Sequence, residues 1–138
     1  MYHFLLHAHK GWRHLVMLIA VIVIVNAIIG VVRKSDVWTK RDKVLSLLYP
    51  IFIDIQVLMG ILLYVVGGWW KSGMSAAIRF EHPTIMLIAL ALAHFGLRRV
   101  KSGESCGCKH KHALAWFLTS FLLILVGVIR IAAVKAGA

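Results

Sequence analysis

The sequence predicts an all-α membrane protein: a four-transmembrane-helix bundle with both termini on the non-cytoplasmic side. Three observations predict it. Of the 138 residues, 61% are apolar and only 15% are charged, far too apolar a balance for a soluble domain of that size. The apolar residues fall in runs long enough, at about 1.5 Å of helix rise per residue, to cross about 30 Å of hydrocarbon. The charges gather between those runs, and unevenly. The spans read as approximately 12–32, 44–66, 80–98 and 113–134, in a single transmembrane domain covering residues 1–138.

The formal net charge of +11 would suit nucleic acid or an anionic surface. Because the cations cluster between apolar runs, membrane topology accounts for them and no nucleic-acid partner is expected. The first apolar run is long and has no small-residue cleavage site behind it, so it is expected to stay in the membrane as a signal anchor. Cys106 and Cys108 sit together in one loop and make no disulfide framework. No nucleotide-binding loop, nucleophile elbow or zinc-protease motif is present, so nothing supports hydrolysis.

Residues 1–13, MYHFLLHAHKGWR, read as an interfacial lead-in or the first turns of a helix, with Tyr2 and Trp12 at headgroup level. The first clear apolar run follows at 14–32, interrupted by Asn26 and Gly30, residue types that face other helices in membranes. The connection 33–43 holds five Lys/Arg against two Asp, with Trp38 as an interface anchor. The second span, VLSLLYPIFIDIQVLMGILLYVV, carries Asp54 and Gln56 near its middle and Pro50 as a bend. An ionisable residue at that depth is a functional-site candidate expected to face polar neighbours inside the bundle, such as Asn26 or His94. The connection 67–81 is poor in cations, and Trp69 and Trp70 mark the membrane surface. The third span begins at His82 and Pro83, where a missing N–H costs nothing in a first turn, and contains His94. Residues 98–112, RRVKSGESCGCKHKH, are the most charged part of the chain, and the last span is broken only by Arg130.

The cation-rich connections 33–43 and 98–112 belong in the cytoplasm, which leaves both termini and the connection 67–81 outside. Orientation turns sequence positions into depths. His7, His9 and His14 then lie at the outer end of the first helix, at the depth of His82 on the third, which runs the same way. Two imidazoles facing each other across a bundle can ligate a b-type haem axially. Arg13 would suit a propionate, and Trp12 one edge of the ring. His94 lies about 18 Å deeper than His82 and about 120° around the helix. It is therefore either a further ligand or a partner of Asp54, His110 or His112. Cys106, Cys108, His110 and His112 offer two thiols and two imidazoles for zinc or copper. Their Cys-x-Cys spacing is tighter than that of structural zinc sites, and a solvated basic loop is the ordinary reading.

The segments LLHAHKGWRHLV, IFIDIQVLMGILLYVV and EHPTIMLIALALAHFGLRR, with the closing apolar helix, resemble a family of small four-helix bacterial membrane proteins labelled cytochrome b or b561-like, found mainly in the Bacteroidetes and their relatives. The shared elements are HxHxGWR, IDIQ and EHP. They match here at His7, His9, Gly11, Trp12, Arg13, Asp54, Gln56, Glu81, His82, Pro83, His94 and Arg98. The resemblance implies non-covalent haem b and electron transfer near quinone in the bacterial inner membrane. It shifts the first-helix ligand from His14, where an aromatic residue would be expected, to His7 or His9, while the CGC loop departs from the pattern.

The expectation is thus a multi-pass haem-binding electron-transfer protein, with iron between His7 and His82 and with His9 and His14 as substitutes. It would work alone or as an accessory subunit of a respiratory or photosynthetic complex, as an electron carrier rather than a self-standing enzyme. Two alternatives belong to other classes. One is a cofactor-free structural subunit of a larger membrane complex. The other is a small proton-coupled transporter, acting as an oligomer, in which Asp54 carries the proton.

Overall fold

Backbone N–H and C=O groups cannot go unpaired in hydrocarbon, and the apolar runs satisfy theirs by coiling into helices. A computed structural model describes residues 1–71 and 73–137 of the chain. Helix α1 spans Tyr2–Val32, α2 Lys40–Val66, α3 His82–Ser102 and α4 Cys106–Gly137. A single π-helical turn, Ala77–Glu81, runs straight into α3. All four helices are long and apolar enough to cross a membrane by length and composition, so the chain is a multi-pass, all-α membrane bundle.

Local chemistry sets the start of α2. Thr39 and Asp42 form a reciprocal capping box: Asp42 N donates to Thr39 Oγ1 at 3.2 Å, and Thr39 N donates to Asp42 Oδ2 at 2.8 Å. The other carboxylate oxygen accepts from Asn26 Nδ2 of α1 at 2.6 Å. This contact explains the polar residue in the first span, because Asn26 latches the end of α1 to the beginning of α2. Its partner is Asp42, which is buried, and not Asp54.

Successive helices alternate in direction, and both termini lie at one end. Trp12 near the start of α1 donates from Nε1 to the Phe52 carbonyl of α2 at 2.9 Å, whereas Asn26 near its end meets the first turn of α2. The helices form a ring in the order α1, α2, α3, α4, with α4 closing against α1. Small residues let α3 approach α4 closely: Ala89 and Ala93 are fully buried, and a Cβ at Gly96 would come within 3.2 Å of the Phe117 ring.

The core holds Val16, Ala20, Val23 and Ala27 of α1, Tyr49 and Ile53 of α2, and Phe117 and Ile124 of α4. One polar chain crosses it. Tyr49 donates to Ser120 Oγ at 3.0 Å, and Ser120 donates to the Ala89 carbonyl at 2.7 Å, joining three helices. The Tyr49 ring also meets Phe117 edge-on at 5.3 Å. Buried hydroxyls are tolerated here because each finds a partner.

Candidate functional site

Polar side chains gather at three depths of the bundle. At the end that holds the termini, Gln56 of α2 donates from Nε2 to the His9 carbonyl at 3.0 Å and lies 3.2 Å from His9 Nε2. His82 lies across from them against the backbone of Gly127, and Arg13 is close enough to act electrostatically on both imidazoles. Two glycines make the room. A Cβ at Gly60 would stand 3.3 Å from His9 Cε1, and one at Gly127 would collide with Met86 and stand 3.6 Å from His82 Nδ1. His9 Nδ1, Gln56 Oε1 and His82 Nδ1 are buried without hydrogen-bond partners. On the rim of this end, Arg130 Nε meets Glu81 Oε2 at 2.8 Å, which accounts for the one charge that interrupts the last span.

At mid-depth, His94 Nε2 donates to Asp54 Oδ1 at 2.8 Å, joining α3 to α2. Asp54 sits near the middle of α2 by residue count. The pair does not lie in the core: the side chains are 48% and 44% exposed on the rim between the two helices. The expectation that Asp54 meets polar residues holds for His94, but the pair faces outward from the chain.

At the opposite end, His110 of α4 is buried. It donates from Nε2 to the Val37 carbonyl at 3.0 Å and packs edge-on against Trp38 at 5.0 Å. The imidazole thereby pins the connection between α1 and α2 to α4, filling the space that Gly30 leaves open. Cys106 and Cys108 are free and half-buried, and His112 is half-buried.

The expected haem site is overturned. His7, the favoured ligand, is exposed while His82 is half-buried, and His14 is exposed as well. His9 does turn inward, yet Gln56 engages both its ring and its carbonyl. Among the described residues, no group of three or more His, Cys, Asp or Glu side chains comes together to hold a metal ion, either here or in the CGC loop. The haem b and iron-binding expectations are corrected accordingly, and with them the haem-based electron-transfer reading.

The signal that separates His9 from His7 was present in the helix itself. The buried stripe of α1 runs through Val16, Ala20, Val23, Ala27 and Gly30. Two helical turns back from Val16 lead to His9, and His7 falls off the stripe. Gly60 and Gly127, opposite the imidazoles, carried no such mark. No family model, curated protein or solved structure matches the chain. What stands of the b561-like resemblance is the general shape of a small multi-span helical bundle.

Proposed function

We propose that this chain is a cofactor-free structural subunit of a larger membrane complex. In this reading α2 and α3 form the face that meets the partner. It sits in a bacterial inner membrane with both termini outside, following the cation-rich connections 33–43 and 98–112 and the resemblance to small bacterial membrane proteins.

The observation that carries this reading is the half-exposed Asp54–His94 pair at mid-depth. A charged side chain at the centre of a spanning helix costs about 2.5–3.5 kcal/mol on insertion scales. An interhelical hydrogen bond in a membrane contributes only about 0.6 kcal/mol on average. One bond does not offset that cost for groups turned towards lipid, whereas polar contacts from a neighbouring protein would add to it. The exposed apolar side chains beyond the pair on the same face of α2, Leu58 and Ile61 among them, suit a helix–helix interface equally well.

Native gel electrophoresis of mildly solubilised source membranes tests the reading. The 15.4 kDa chain should migrate within a complex larger than its own dimer, and the double variant Asp54→Leu/His94→Leu should leave that complex. Migration of the wild type as a free chain in its detergent belt would refute the proposal.

A further inference from the structure

Towards the basic end of the bundle, beyond the Asp54–His94 pair, the outer face of α3 carries an open groove. Its volume is about 440 Å³, and His94, Leu97, Arg98, Lys101 and Ser102 line it. The spacing of these residues is helical, so they form one continuous strip from mid-depth to the last turn of α3. On α2, Leu47 and Ile51 share a face with Asp54 by the same spacing, and both are exposed. The antiparallel course of the two helices carries that apolar strip alongside α3 towards its charged end.

The cations at the mouth are unspent. Among the described residues, neither Arg98 nor Lys101 has an ion pair within the chain. Ser102, beside them, donates its hydroxyl to the Arg99 carbonyl at 3.3 Å, so the two cations are the donors left at the opening. Two unpaired cations at the end of a spanning helix lie at headgroup depth, above a strip suited to an acyl chain.

We infer that this groove binds an anionic phospholipid, with its phosphate held by Arg98 and Lys101 and an acyl chain laid along the α2–α3 rim. A guanidinium fork beside an ammonium matches the charge and the oxygen geometry of a phosphodiester. A zwitterionic lipid brings its own cation to the same place and gains less. The inference does not depend on the partner reading, because the isolated chain carries every group it uses.

Native mass spectrometry of the purified chain, with dioleoylphosphatidylglycerol or dioleoylphosphatidylcholine added to the micelles, tests it. The wild type should retain phosphatidylglycerol preferentially. Arg98→Gln/Lys101→Gln should lower that affinity on the order of tenfold, from two lost surface cations. Arg98→Lys/Lys101→Arg should keep it. Lys10→Gln/Lys71→Gln, which removes the same charge from exposed sites at the other end, should keep it too. A thermal melt without lipid reports whether each variant is folded. Equal retention of the two lipids by the wild type would overturn the inference. An equal loss in the Lys10/Lys71 variant would overturn it as well, in favour of bulk charge. Displacement of the lipid by millimolar inorganic phosphate would also overturn it, since the groove would then take free phosphate.

Discussion

His94 Nε2 stands 2.8 Å from Asp54 Oδ1, and both side chains are close to half exposed on the rim between α2 and α3. A polar pair hidden in the core would join two helices of one chain and end there. On the rim the same pair presents unused lone pairs and polar surface to whatever lies beside the bundle. Single substitutions should therefore not be equivalent to the double one. Asp54→Leu leaves an imidazole without its acceptor, and His94→Leu leaves a carboxylate without its donor, so each should weaken assembly more than the paired removal predicts by addition. A double-mutant cycle, reading the fraction of chain in the native complex, checks this. Strict additivity would show that the two side chains act separately.

The polar chain Tyr49–Ser120–Ala89 should matter to stability rather than to assembly. Tyr49→Phe keeps the edge contact with Phe117 and removes one hydroxyl, at a cost of about 1 kcal/mol. Ser120→Ala should cost more, because it breaks two bonds and leaves the Tyr49 hydroxyl and the Ala89 carbonyl in the core without it. Reversible unfolding in mixed micelles measures both. A Ser120→Ala variant no less stable than Tyr49→Phe would remove the relay from the account.

Gly30 and His110 should behave as a locked pair. A Cβ at Gly30 would collide with the His110 ring, which is buried and tied to the Val37 carbonyl. Gly30→Ala should lose about 1–3 kcal/mol, the usual range for overpacking. His110→Ala in the same chain should recover part of that loss by removing the obstacle. Thermal melts of the two single variants and the double variant decide the matter. A Gly30→Ala chain as stable as the wild type would mean that the imidazole yields freely.

These residues also show what the sequence could carry. The four spans were readable because hydrocarbon demands long apolar runs, and nothing else in this composition produces them. Asp54 and His94 were readable as candidates because each is polar where lipid is expected. Their outward placement was not readable: 54 and 94 can meet inside or outside a bundle, and the choice rests on how α2 and α3 rotate about their axes. His110 looked like part of a solvated basic loop because its inward turn depends on the fold of 33–39, a segment without periodicity. The preference for His7 over His9 followed motif and depth and passed over the helical phase set by Val16 and Ala20.

The two cysteines report orientation without any engineering. The proposed orientation puts 98–112 in the cytoplasm, so Cys106 and Cys108, the only two cysteines in the sequence, would face the inside of the cell. In intact spheroplasts a membrane-permeant maleimide should label the protein, and an impermeant one should do so only after lysis. A reporter active only in the cytoplasm, fused to the C-terminus, should stay silent. Labelling of intact spheroplasts by the impermeant reagent would invert the topology.

The most direct test of the structural-subunit account is photocrosslinking from the α2 rim in living cells. Leu58 lies one helical turn from Asp54 on the same face and is 59% exposed, so benzoylphenylalanine placed there looks out beside the pair. Leu18 on α1 is comparably exposed at 58% and serves as the control. Leu58→benzoylphenylalanine should give one discrete protein adduct, lost on adding Asp54→Leu/His94→Leu, while the Leu18 position gives lipid adducts alone. Lipid adducts alone from both positions would contradict the claim that this chain is held in a complex through α2 and α3.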